Sequence, residues 1–205
     1  MIYLLRHGQT ELNKQNLMQG QCDHPLNEQG RLQARNAGKV IRDSGLKFDR
    51  VFSSPLRRAV ETGEIALCVS GEEFILDDRL MEMSYGPYEE TDVKELTLFA
   101  MNFLKDPESY PAPEGIEGGL ELRARLLEFA RENLFAKEEE NILVISHQIA
   151  LRELLCVLMG LSWRDLKGHW LSNCDICEVK GADGKNPVPV RILGRDEKHD
   201  TNFSL

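Results

Sequence analysis

The sequence has no excess of positive charge, no long apolar run and no cysteine framework. Each shortfall narrows the function. Lysine and arginine number 25 against 34 acidic residues, a formal net charge of −9 with a pI near 5.1. That balance argues against general binding to nucleic acid or to a membrane surface. It leaves room for an anionic substrate wherever cations gather locally. No apolar run is long enough to span a bilayer, and the first one lacks the basic start of a signal peptide. The five cysteines, Cys22, Cys68, Cys156, Cys174 and Cys177, are odd in number and lack disulfide spacing. They read as reduced thiols of a cytoplasmic protein. Cys174 and Cys177 form a C-x-x-C, but no second pair exists to complete a zinc site. Nothing repeats at a fixed period.

What is present is an ordinary globular composition, with 41% apolar and 29% charged residues over 205 positions. The chain reads as one domain over residues 1–205. It opens on the apolar run Ile2-Tyr3-Leu4-Leu5, which breaks into Arg6-His7-Gly8. A helix follows over about 30–44, where Gly30, Ala34, Ala37 and Ile41 recur at helical spacing and Gly45 stands as the C′ glycine. Residues 49–52 read as a strand, Ser53-Ser54-Pro55 opens a second helix, and 73–76 reads as another strand. Helices are expected over about 92–104 and 120–136. Between them, residues 106–119 are rich in Pro, Gly and Glu, and with 84–105 they read as a lid or insertion around 84–119. Ile142-Leu143-Val144-Ile145 has the unbroken apolar character of a strand covered on both faces. A helix over 149–159 and two strands over 175–180 and 188–193 complete the chain. The alternation predicts an α/β three-layer sandwich, a mainly parallel sheet flanked by helices with an antiparallel edge strand.

Three strand-to-helix junctions carry chemistry. They are Arg6-His7, Ser53-Ser54-Pro55 with Arg57 one turn on, and Ser146-His147. Ligands of open parallel sheets bind outside the carboxyl ends of the strands, where helix N-termini present free N–H groups. Two imidazoles and two guanidiniums would converge there around a phosphoryl group. Gly8 would let a ligand approach the backbone. Phosphoryl transfer needs an in-line nucleophile, charge stabilisation and a proton for the leaving oxygen. Glu82, beside Leu80 and Met81, is the candidate proton donor.

These blocks also carry a family resemblance. Leu5-Arg6-His7-Gly8-Gln9-Thr10-Glu11 with Asn13, the run Ser53 to Thr62, Leu80-Met81-Glu82 ahead of Gly86, and Ser146-His147 resemble the histidine phosphatase superfamily in its phosphoglycerate-mutase-like branch. Gly20, Asp23, Pro25-Leu26 and Gly30 fit the same pattern. The resemblance implies a phosphoglycerate-mutase-like fold and a phosphohistidine at His7. It implies Arg6, Arg57 and His147 around the phosphoryl oxygens, with Asn13 and Gln148 beside the phosphate and Glu82 as the acid. No cofactor and no metal are implied, because the arginines and imidazoles supply the electrostatics. His24 and His169 match no catalytic position and read as surface or structural histidines. Three departures stand out: Gln148 replaces a usual glycine, Tyr88-Glu89-Glu90 replaces aromatic-Glu-Gly, and Glu117-Gly118-Gly119 replaces Gly-Glu-Ser.

The expected function is metal-independent hydrolysis of a small phosphorylated metabolite. The alternatives are a cofactor-dependent phosphoglycerate mutase and a non-catalytic phospho-ligand binder. A mutase must retain a second phosphate. The lid offers only Lys94 and Lys105 against Glu89, Glu90, Asp92, Glu95, Asp106, Glu108, Glu114 and Glu117. Retention of His7 and Glu82 argues against a mere binder. The identity of the substrate stays open, and the C-terminal hairpin edge leaves a homodimer open.

Overall fold

The computed structural model describes residues 1–92, 94, 97–135, 137, 139–166, 171–185 and 190–193. Among the described residues, six strands form one sheet, β1 (Ile2–Arg6), β2 (Arg50–Ser53), β3 (Ile75–Leu76), β4 (Ile142–Ser146), β5 (Ile176–Val179) and β6 (Val190–Ile192). Their order is β3-β2-β4-β1-β5-β6. The first four run parallel to their neighbours, while β5 runs antiparallel to β1 and β6 antiparallel to β5. The helices are α1 (Glu11–Gln15), α2 (Glu28–Asp43), α3 (Arg57–Leu67), α4 (Leu98–Lys105), α5 (Gly119–Asn133) and α6 (Gln148–Met159). No helix among the described residues is long and apolar enough to cross a membrane.

The unbroken apolar character of β1 and β4 follows from their central place. Successive side chains point to opposite faces, and both faces are covered. Ile2, Leu4, Ile142 and Val144 join the core beneath α5 and α6, with Leu122, Phe129, Leu154 and Trp163. Tyr3, Leu5, Leu143 and Ile145 join the core beneath α2 and α3, with Ala37, Ile41, Ala59 and Ala66. Three layers result, as the alternation of elements predicts.

Most elements fall where periodicity puts them, with one shift. The helix expected over about 92–104 begins at Leu98, where Thr97 caps it by accepting the Ala100 N–H. The segment 106–118 holds neither helix nor strand, and it is tied down by ion pairs. Asp106 meets Arg164, Glu108 meets Arg123, and Glu117 meets Arg125. His169 and the residues from 194 onward lie outside the described residues.

Gly8 serves a different purpose from the one its sequence context suggests. A Cβ there would stand 2.7 Å from the Gly30 carbonyl oxygen, and a Cβ on Gly30 would come closer still to that of Gln9. The two glycines let the loop after β1 press against the first turn of α2. This close backbone packing requires both glycines.

Candidate functional site

The carboxyl ends of β1, β4 and β2 lie side by side. Arg6 pairs with Ser146 and Ser53 with Ile145. The ladder extends one step beyond, through the His7 N–H to the Ser146 oxygen at 3.0 Å and the Ser54 N–H to the Ile145 oxygen at 2.9 Å. The backbone therefore delivers His7, His147 and Ser54 to one spot. The two imidazole centroids stand 5.1 Å apart.

The hydrogen bonds set opposite tautomers on the two rings. His7 Nδ1–H donates to the Gly8 carbonyl oxygen at 2.7 Å. A carbonyl can only accept, so the lone pair of His7 resides on Nε2. His147 Nδ1 accepts from Arg58 Nε at 3.1 Å, and a guanidinium can only donate. Its proton is thus on Nε2, which donates to Ser54 Oγ at 2.8 Å. Burial, then Arg58 and Arg6, push the His7 pKa well below its usual value. Burial, then Arg58 and His7, do the same for His147. A neutral imidazole with a free Nε2 lone pair is a competent nucleophile.

A cavity of about 320 Å³ opens over His7. Arg6, Asn13, Gly20, Arg58, Glu82 and Gln148 line it together with Leu17, Met18, Gln19, Tyr85, Leu104 and Ile149. His147 is fully buried and stands behind this wall. Arg6 is buried and donates from Nη1 to the Leu171 oxygen at 2.6 Å, while its Nε has no acceptor among the described residues. Arg58 donates to the oxygens of Cys22 and Gly20 at 2.7 Å each as well as to His147. Those three bonds leave two of its five N–H groups for a ligand. Burial lowers the pKa of both guanidiniums, opposed by Glu82.

The expectation for Arg57 is corrected here. Arg57 is exposed, and its backbone N–H donates to Asp23 Oδ1 at 2.7 Å. The guanidinium in the cavity is that of Arg58, which is 0% exposed. Helical phase decides the matter. Arg58, Thr62 and Ala66 share the buried face of α3 at four-residue spacing, and Arg57 lies about 100° away. The buried stripe Ala59, Thr62 and Ala66 was legible in the sequence and would have selected Arg58.

Glu82 lies where the sequence suggested, with its carboxylate on the first turn of α6. Oε1 accepts from the N–H groups of Met83 and Ala150 at 3.0 Å, and Oε2 from that of Ile149 at 3.2 Å. The amides of Ile149 and Ala150, expected to be free for a ligand, are thus taken by this carboxylate. Local attraction for an anion comes from Arg6 and Arg58 instead.

Asn13 closes a capping box on α1. Its Oδ1 accepts the Thr10 N–H at 3.2 Å, which turns the amide nitrogen toward other partners. Gln148, the first residue of α6, adds its half-buried side chain to the cavity wall.

Two positioning groups escaped the sequence reading. Arg125 donates to the carbonyls of Arg79, Met81 and Glu82 and pairs with Glu117, so it fixes the loop that carries Glu82. Asn173 Nδ2 donates to the His7 carbonyl at 2.9 Å. Neither sits in a recognisable motif.

Residues 2–191 match the histidine phosphatase superfamily (branch 1). Two curated relatives bear names that put them forward as phosphoserine phosphatase 2 and phosphoglycerate mutase GpmB. The first, from Hydrogenobacter thermophilus, is 31% identical over 185 residues, 87% of this chain and 88% of its own. The second, from Serratia proteamaculans, is 34% identical over 182 residues, 87% of this chain and 83% of its own. Among solved structures, a mycobacterial glucosyl-3-phosphoglycerate phosphatase superposes with a TM-score of 0.80 at 24% identity, over 95% of this chain and 98% of that one. A phosphoglycerate mutase from Thermus thermophilus superposes with a TM-score of 0.72 at 24% identity, over 95% of this chain and 99% of that one. Both have the phosphoglycerate-mutase-like fold.

Proposed function

The chain belongs to the histidine phosphatase superfamily, and we propose that it hydrolyses the phosphomonoester of a small metabolite, without a metal, through a phosphohistidine on His7. The observation that carries this reading is the pairing of a neutral, buried His7 with two buried guanidiniums. One of them has its Nε unmatched by any acceptor among the described residues. Such a donor suits an equatorial phosphoryl oxygen.

In the first step His7 Nε2 attacks phosphorus in line with the leaving oxygen. The P–O bond to the alcohol breaks, and Glu82, protonated, gives its proton to that oxygen. Arg6, Arg58 and Asn13 hold the phosphoryl oxygens. His147 orients Arg58 by accepting its Nε–H. In the second step the Glu82 carboxylate takes a proton from water as the water attacks phosphorus, the P–N bond breaks, and His7 leaves as the neutral imidazole with its proton still on Nδ1. Phosphate and free enzyme result.

Hydrolysis is favoured over isomerisation by the rest of the cavity wall. Beyond Arg6 and Arg58, the lining residues named above carry no cation, while Leu17, Met18, Tyr85, Leu104 and Ile149 are apolar or aromatic. The segment 84–119 acts as the cover of this pocket, and its Glu117 and Glu108 are matched to Arg125 and Arg123. A second phosphate would find little to hold it. The leaving alcohol is correspondingly uncharged and partly apolar.

The test is phosphate release from a panel of small phosphomonoesters without added metal, alongside 3-phosphoglycerate with bisphosphoglycerate. Release from one ester, lost in His7→Ala, supports the reading. Isomerisation without release makes the chain a mutase. Equal rates in wild type and His7→Ala overturn the enzyme reading.

A further inference from the structure

Outside the catalytic pocket, one cluster combines three unlike metal donors. We propose that Cys22, His24 and Glu90 form a binding site for a zinc-like divalent cation at the rim of the phosphate pocket. Their ligand atoms lie within 4.8 Å of one another. A thiolate, an imidazole and a carboxylate are the donor set of zinc and its neighbours in the transition series, whereas magnesium and calcium take oxygen. Tetrahedral zinc needs its ligands roughly 3.3–3.8 Å apart, given bonds of about 2.0–2.3 Å. To reach that spacing the ligand atoms, now within 4.8 Å of one another, need to close, except for His24 and Glu90, which need to open from 2.6 Å.

The local structure favours such movements. His24 Nε2 and Glu90 Oε1 are hydrogen-bonded at 2.6 Å, a contact that a cation between them would replace. Their side chains are 38% and 56% exposed, so a hydrated cation can reach them and keep water as its fourth ligand. Cys22 Sγ donates to the Gln19 oxygen at 2.6 Å, a bond that metal coordination would replace. Glu90 holds φ at +65°, and its N–H donates to the Met18 oxygen. A glycine would make this turn without the roughly 1–2 kcal/mol that a left-handed side chain costs. The chain places a carboxylate there instead, against His24.

The site adjoins the phosphate pocket through the backbone. The carbonyls of Gly20 and Cys22 hold Arg58, so a ligand on the Cys22 sulfur bears on the same turn that aims this guanidinium. The cation performs no step of the hydrolysis. A thiol must lose its proton to bind a metal, so zinc affinity rises with pH.

The experiment uses the reduced full chain and measures binding, not turnover, so its failure leaves the phosphatase reading untouched. Zinc is titrated against a competing chromophoric chelator, and cobalt(II) is added separately to look for a thiolate-to-cobalt charge-transfer band. One site per chain with that band is expected. C22S abolishes the band, because serine keeps the bond to Gln19 but cannot supply a thiolate. H24A and E90Q weaken zinc by more than the roughly 10–100-fold that loss of an outer-shell partner costs. C68S, at an exposed thiol, changes nothing. The proposal is overturned if wild type takes up no zinc at micromolar levels, or if the band and the affinity survive C22S. Circular dichroism of each variant confirms its fold.

Discussion

Arg58 Nε donates to His147 Nδ1 at 3.1 Å, and this single bond ties the second histidine to the guanidinium that lines the cavity. It fixes the imidazole tautomer and aims the fork at once. Arg58→Ala should therefore lower kcat by about 10²–10³-fold, the usual loss when one oxyanion donor is removed. Arg57→Ala, one residue away but exposed, should leave kcat/KM near wild type and shift stability by less than about 0.5 kcal/mol. Steady-state kinetics on both variants checks the assignment.

Glu82 gives a leaving-group signature. Glu82→Gln retains an oxygen to accept amide hydrogens from α6 but has no proton to give. It should slow esters of poorly acidic alcohols far more than activated aryl esters, whose leaving oxygen needs no proton. Rates for a series of esters of graded leaving-group acidity decide the point. Equal slowing across the series would remove Glu82 from the role.

Gly8 separates packing from access. Gly8→Ala puts a methyl group 2.7 Å from the Gly30 carbonyl, backbone against backbone. Overpacking of this kind costs about 1–3 kcal/mol, or roughly 2–4 °C in Tm per kcal/mol for a chain of this size. Thermal unfolding should show the loss. If the glycine served ligand access, Tm would hold and only KM would rise.

The two buried imidazoles make stability depend on pH. In the unfolded chain each protonates near the ordinary value of 6.5, whereas in the fold each stays neutral well below it. Their contribution is fully present above about 6.5 and is lost as pH falls toward the folded values, at about 1.4 kcal/mol per unit of depression. Glu153 works the other way. Burial raises it to about 8, so its contribution is present below its ordinary 4.5 and is lost as pH rises through 8. The clean comparison is therefore a variant. His147→Gln keeps an acceptor for Arg58 and a donor for Ser54, and it should flatten the fall in Tm between about pH 7.5 and 5, the span over which an unfolded-state imidazole gains its proton.

The strands, the main helices and the convergence of Arg6, His7 and His147 were legible in the sequence, because two-sided burial leaves unbroken apolar runs in β1 and β4, whereas Glu82 sits on a connecting loop and only the family resemblance singled it out. Arg57 and Arg58, as adjacent arginines, look alike in a motif. Only the phase of α3 separates them. Gly8 was misread because its neighbour, Gly30, is 22 residues distant in sequence and meets it only through the tertiary fold. Arg125 and Asn173 act on carbonyl oxygens of remote segments, and backbone acceptors leave no trace in residue types. Cys22, His24 and Glu90 join two segments that only the fold brings together. Sequence spacing drew attention to Cys174 and Cys177 instead, of which Cys177 is buried in the core beneath α5 and α6.

The most direct test of the central claim is a rapid alkaline quench of the enzyme during turnover of its best ester, followed by mass spectrometry of the peptide that contains His7. The account predicts one added phosphoryl group on His7, formed and lost at the rate of turnover and missing from His7→Ala. Turnover with no phosphoenzyme, or a phosphoryl group on any other residue, would contradict it.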